Sequence, residues 1–559
     1  MKNVLNYLEN SAKRLPDKIA VIDEKEQHTY AQLLSISRNI GRQLKGLISA
    51  GQPVAVCMKK SVLTLEVFFG TAYAGGFYSL IDPDFPTERI RSILETLQPA
   101  VVVSLPEHEE KLRGAGFEGR VLMAGQLRDG EIAAGDAPGN DGITPGHHDP
   151  EELTNMAEPV FDHESLSGDT KADLPLYCNF TSGSTGTPKG VQVGHASVVD
   201  FIDTFTELFH ITQDDVIGNQ APFDFDVSVK DIYSAMKVGA TLVIIPTAYF
   251  RFPNNVMDML QEHKVTTLIW AVSALVLLNR LHEFMYKVPA HINKILFSGE
   301  EMPAKHLGDW MEQYPDATFV NLYGPTEVTC NCTYYRIERK YEPGEKIPAG
   351  LPYPGKEVWL MDDKGERIDP SRDGQVGELC CSGGLALCYY RNEEATKRAF
   401  IEPGDCKADS DDKDEKYDKP VPNAAGNKTE SGIRERYYKT GDLAYWQDGL
   451  LYFAGRSDFQ IKHNGHRIEL EEIERYMNAI PFVQQSCCLY DHEKYRIVAF
   501  YTGENDKKQI VALLKEKLPE YMLPNVYRYM DELPLTKNGK IDRGYLRGLL
   551  AAPSGAAKQ

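Results

Sequence analysis

Spaced cysteine pairs are missing from this 559-residue chain, although it holds ten cysteines. Cys380-Cys381 and Cys487-Cys488 are adjacent, and Cys330 and Cys332 stand two apart, which excludes a zinc site of the CxxC…CxxC kind. They read as buried thiols of a reducing compartment. Long apolar runs are missing too: the longest, residues 267–278, is too short to span a bilayer. The N-terminal stretch MKNVLNYLENSAKRLPDK turns polar too early for a signal peptide. Net positive charge is lacking, with 61 Lys and Arg against 81 Asp and Glu, a balance of −20. Such a chain repels nucleic-acid phosphates, and no basic cluster overrides the repulsion. The expectation is a soluble, cytoplasmic protein with neither a nucleic-acid nor a membrane partner. A nucleotide ligand stays compatible, because a small site needs only local positive charge.

What is present is globular: 42% hydrophobic and 25% charged residues. At this length one hydrophobic core does not suffice, so two or more domains are expected. Residues 53–58 (PVAVCM) predict a short buried strand, and residues 61–74 a helix with Val62, Leu65, Phe69 and Ala72 on one face. Turns follow at Gly75-Gly76 and around Ile81-Asp82-Pro83. Strand-like runs recur at 100–104, 241–246, 267–271 and 295–298, with helical patterns between them. This alternation predicts an α/β fold with largely parallel sheets. Residues 126–172 and 404–434 are polar and aperiodic, and predict surface excursions. His147-His148-Asp149, in the first of them, reads as solvated rather than metal-binding. Residues 458–475 are charged and helix-prone. Strands at FVQQSCCLY and YRIVAFYTG and a helix near 507–518 then predict a compact C-terminal domain.

The strongest chemical signal is FTSGSTGTPKGV, residues 180–191. Its glycines let backbone N–H groups approach an anion, its hydroxyls can donate to phosphate oxygens, and Lys189 adds charge. It is not a Walker A loop, since GxxxxGK[ST] is absent. Further strings follow the same theme: AGG with IDP at 74–83, NLYGPTE at 321–327, GELCCSGG at 377–384, YKTGDLAYW at 438–446, GRSDFQIKHNGHRIELEEIE at 455–474 and LPLTKNGKIDR at 533–543. Together and in order they resemble the motifs of the adenylate-forming superfamily, which includes acyl-CoA synthetases, luciferases and the adenylation domains of nonribosomal peptide synthetases.

The resemblance implies a large N-terminal domain, residues 1–457, of sheets flanked by helices with a distorted β-barrel. A small mobile α/β domain, residues 458–559, would close over it. ATP and Mg²⁺ are the implied cofactors. Thr181, Ser182, Gly183, Ser184, Thr185, Gly186 and Lys189 would cradle phosphates. Asn321, Tyr323 and Gly324 would receive adenine, Asp442 the ribose hydroxyls, and Arg456 ribose or phosphate. Glu327 and Thr326 would hold Mg²⁺, which wants hard oxygen ligands. Lys540 is the implied catalytic residue, its ammonium stabilising charge as a substrate carboxylate attacks the α-phosphate. Asp458 is the implied hinge. One pose brings in Lys540, and the other brings in Gly465-His466-Arg467 for thioester formation.

FDVSVKDIY, residues 225–233, resembles the amino-acid-activating branch, in which Asp226 would pair with the substrate α-ammonium. The implied substrate wall is Asp226, Val227, Lys230, Ser273, Leu296, Ser298, Leu322, Cys330 and Asn331, with Lys540. Lys230 lies one helical turn beyond Asp226. It would meet an acidic or strongly polar substrate side chain, or pair with Asp226 or Asp231. Several stretches are similar to the D-alanine–carrier protein ligases, but Lys230 and Ser298 depart from them. No carrier domain follows the lysine motif and no condensation domain precedes it, so a freestanding enzyme is expected. It would load an amino acid onto the phosphopantetheine arm of a carrier protein in trans. The rival readings are an acyl-CoA synthetase and a catalytically dead scaffold.

Overall fold

The computed structural model describes residues 3–130, 174–182, 188–402, 436–492, 494–536 and 541–550. Gly183, Ser184, Thr185, Gly186 and Thr187 of the glycine-rich loop lie outside the described residues. So do Lys540, the Asn538-Gly539 turn, His147-His148-Asp149 and the predicted excursion at 404–434.

Two twisted sheets form the large part of the molecule. In the nine-stranded sheet, six parallel strands run in the order Thr318–Tyr323, Lys294–Ser298, Thr267–Ala271, Val216–Asn219, Thr241–Ile244 and Ile19–Ile22. Antiparallel strands finish both edges. In the seven-stranded sheet the interior strand Pro53–Cys57 pairs in parallel with Phe77–Leu80 and Val101–Ser104. These central strands are buried on both faces and rich in β-branched residues, as doubly covered parallel strands require. An antiparallel sheet of six strands is drawn from the stretch between Glu357–Met361 and Leu450–Arg456.

The helix Val62–Tyr73, capped by the Ser61 hydroxyl, is buried nearly all round rather than on the one predicted face. It packs against the helix Tyr30–Lys45, where a Cβ on Gly70 would stand 2.4 Å from the Ile40 side chain. Residues 124–129 are helical, although the sequence places the start of an excursion at 126. Arg128 there bonds Glu66 and Glu26, a long-range pairing that no local pattern announces.

Residues 458–469 also depart from the predicted helix. They form a hairpin, Gln460–His463 with His466–Glu469, and only Leu470–Asn478 are helical. Asn464 and Gly465 make the two-residue turn, with φ of 53° and 79°. An Asn-Gly turn of this kind is favoured because both positions need positive φ. The C-terminal part has its own core, in which Ile468, Ile473, Met477, Ile497 and Met522 are buried apart from the main clusters. No described helix is long and apolar enough to cross a membrane.

Candidate active site

An open cleft lies beyond the carboxyl ends of the parallel strands. That is where open α/β sheets place their ligands. Ser298 ends one strand, Gly324 to Thr326 follow the next, and Thr181 and Ser182 lead out of the other sheet. The hairpin supplies the far wall through Gln460, Lys462, Gly465, His466 and Arg467.

Asp226 and Val227 line this cleft at the start of the helix Val227–Val238. Burial pushes the Asp226 carboxyl up, while Lys230, the Thr326 hydroxyl and Lys462 pull it back. Lys230 is 1% exposed, and its Nζ donates to Asn331 Oδ1 at 2.9 Å and Ser298 Oγ at 3.2 Å. Cys330 and Asn331 reach the cleft from a tight loop in which Thr329 and Cys330 both have positive φ, 58° and 70°. That is a strained conformation for a β-branched residue. Gly324 makes the loop possible, since a Cβ there would stand 2.4 Å from Asn331 Cα. Leu296 and Leu322, expected in the pocket wall, pack into the main core instead. Ser273 sits beside the Gly465 turn, 3.6 Å from the position a Cβ would take.

On the other side, Asp442 accepts from the Tyr323 hydroxyl on one oxygen and from Arg456 on the other. Arg456 also grips Asp458 with two bonds, of 2.6 and 2.7 Å, so one guanidinium joins the cleft to the expected hinge. The Tyr323 ring, expected as an adenine platform, is buried against Phe453, with Lys462 over it at 5.5 Å. Asn321 gives its amide to the Pro348 carbonyl. Lys189 stands 5.8 Å from the Tyr389 ring, and burial lowers its pKa.

Glu327 is fully buried. One Arg467 nitrogen lies 2.8 and 2.9 Å from its two oxygens, and Tyr389 donates to it at 2.7 Å. Burial raises the Glu327 carboxyl, but Arg467 and the tyrosine hydroxyls outweigh this and hold it below the ordinary value. Thr326 is engaged with Asp226. In this arrangement the two residues do not fit a bound cation, because a guanidinium already takes the carboxylate. No cluster of three or more His, Cys, Asp or Glu suited to a metal occurs among the described residues.

The hairpin is held in place by further contacts. Gly465 N–H donates to Glu300 at 2.9 Å, and the Ser182 hydroxyl donates to the Arg467 carbonyl at 2.7 Å. His466 stacks on Tyr521 at 3.5 Å and meets the Phe225 ring edge-on. Burial lowers its pKa to about 3, so it is neutral at ordinary pH. Sequence reasoning missed Lys462, Glu300 and Tyr521. Lys462 was findable, since the Asn-Gly turn puts it on the hairpin that carries Arg467.

A family model described as AMP-binding enzyme matches residues 8–390, and one described as AMP-binding enzyme C-terminal domain matches residues 472–540. Bacitracin synthase 1 of Bacillus licheniformis is 32% identical over 97% of this chain, which spans only 9% of that protein. A D-alanine–D-alanyl carrier protein ligase of Staphylococcus aureus (strain Newman) is 29% identical, with 97% of this chain and 98% of the ligase covered. The Vibrio cholerae adenylation domain AlmE, solved with glycyl-adenosine-5'-phosphate, shares the fold at a TM-score of 0.75 and 19% identity. The match covers 99% of this chain and 98% of AlmE.

Proposed function

We propose a reaction for this chain on the premise that it belongs to the AMP-binding enzyme family. The reaction is ATP-dependent activation of an amino acid as its aminoacyl adenylate, followed by transfer to the phosphopantetheine thiol of a separate carrier protein. In the first step a carboxylate oxygen attacks the α-phosphorus, the bond to the bridging oxygen breaks, and pyrophosphate leaves. In the second the thiol sulfur attacks the acyl carbon, loses its proton, and AMP leaves.

The observation that carries the reading is Asp226, a carboxylate in the same cleft as Asp442 and Arg456. It offers a substrate α-ammonium the counter-charge that a desolvated cation needs. A fatty or aromatic acid would bring no cation to it. Transfer to a carrier is supported by the match to a D-alanyl carrier protein ligase along almost its whole length. Asp442 and Arg456 are proposed for the ribose, Thr181, Ser182 and Lys189 for phosphates, and Lys540 for the developing charge. Magnesium is proposed at Glu327 and Thr326 only when Arg467 has withdrawn. The boundary at residues 457/458, with Asp458 as hinge, is proposed on the separate core of the C-terminal part.

Amino-acid-dependent ATP–pyrophosphate exchange tests the reading. Exchange with an amino acid, abolished in Asp226→Ala, supports it. Exchange with hexanoate or salicylate alone would move the chain to the acyl or aryl branch.

A further inference from the structure

The helix Val227–Val238 places Asp226 and Lys230 one turn apart on one face, about 6 Å along the axis. Lys230 is buried, yet no carboxylate of a described residue lies within 4.0 Å of its Nζ. Neither acidic neighbour pairs with it directly, although both stand near enough to favour its charge. Asp231 accepts from Asn219 at 2.7 Å on one oxygen and has no hydrogen-bond partner on the other, and Asp226 takes the Thr326 hydroxyl. A buried ammonium with no direct ion pair is costly, and an apolar residue would serve packing better.

Donor and acceptor accounting gives this cluster a direction. An ammonium only donates, so Asn331 must turn its Oδ1 to Lys230, and Ser298 must offer its lone pair. Each acceptor thereby gives one lone pair to Lys230. Ser298 and Asn331 keep an O–H and an N–H₂ that a ligand can accept from, and Lys230 keeps one N–H. Ser298, Asn331 and Asp226 all line the cleft. The subsite is therefore rich in donors around a buried ammonium, and it complements a group that only accepts.

We infer that Lys230, Ser298 and Asn331 form a carboxylate-binding subsite, and that the amino acid activated here carries a short acidic side chain. The inference rests on the proposal that the chain activates an amino acid. With the α-ammonium on Asp226, one helical turn separates the two recognised charges, a span that suits aspartate or glutamate. A substrate ammonium or guanidinium side chain would meet the O–H and N–H₂ of Ser298 and Asn331 with the Lys230 charge behind them, and is disfavoured. An alanine methyl would offer these donors no acceptor, which discriminates against it.

The test is ATP–pyrophosphate exchange with the full chain and both enantiomers of aspartate, glutamate, asparagine, glutamine, serine and alanine. The unmodified protein is expected to prefer one acid over its own amide by about tenfold or more in kcat/KM. In Lys230→Met, checked for folding by thermal unfolding, that acid-to-amide ratio in kcat/KM is expected to fall about tenfold or more. A neutral amino acid outperforming both acids in the unmodified protein overturns the inference and leaves amino-acid activation standing. An unchanged acid-to-amide ratio in the variant overturns it as well. Exchange with no amino acid overturns the activation reading itself, and this inference with it.

Discussion

Arg467 and Glu327 meet as a buried ion pair that ties the hairpin of the C-terminal part to the floor of the cleft. Removing one member of a buried pair strands the other, at about 3–5 kcal/mol where nothing relaxes. Here the hairpin can leave. In Arg467→Ala, dyes on the core and the C-terminal part are expected to show a longer mean separation by energy transfer. Mn²⁺, a paramagnetic stand-in for magnesium, is expected to bind more tightly by electron resonance. Unchanged separation and unchanged affinity would mean that the pair neither holds the hairpin nor blocks a cation.

Lys540→Ala is expected to lower the adenylation rate by about a hundredfold or more and leave ATP affinity nearly unchanged, since its stabilisation belongs to the transition state. Single-turnover kinetics and equilibrium ATP binding separate the two. Equal loss in both would remove the catalytic assignment.

Gly324→Ala is expected to destabilise the protein by about 2 kcal/mol or more, because the new Cβ meets backbone at Asn331 and Cys330. Chemical denaturation measures this. A stable variant would show that the loop gives way. The amino-acid KM would then have to rise, since Cys330 and Asn331 line the cleft.

Asp224 supplies a pH prediction. Burial, aided by Asp82, raises its carboxyl to about 7. An acid raised in the folded state contributes most below its unfolded value, about 3.9, and loses that contribution as pH climbs to the folded value. Asp224→Asn removes this slope. Its stability relative to the unmodified protein is therefore expected to improve steadily between pH 4 and 7. A constant difference across that window would show that Asp224 titrates normally.

The parallel strands were legible because Val101–Ser104 and Thr267–Ala271 are short, apolar and β-rich, and nothing distant alters that. The helix Val62–Tyr73 was legible as a helix but not in its depth, since burial on every side comes from neighbours far along the chain. Motif spacing brought Asp226, Asp442, Arg456 and Thr326 to one cleft. It did not tell that Leu296 and Leu322 would go to the core, because strand alternation fixes a face and not what covers it. Periodicity put Lys230 beside Asp226 and left its partner open. The motif match set Ser298 and Asn331 in the same wall, but only the folded chain shows them bonding Lys230 from 68 and 101 residues away. The hairpin at 460–469 was missed because charge was weighed above the Asn464-Gly465 turn.

Arg456 spends its guanidinium on two carboxylates at once, Asp442 in the cleft and Asp458 at the proposed pivot. The two therefore have no independent adjustment. A change that tightens the grip on one loosens the other, so nucleotide affinity and the tempo of domain rearrangement are expected to drift together under selection. An engineer seeking to retune either trait would do better to leave this arginine alone and work on the residues around it.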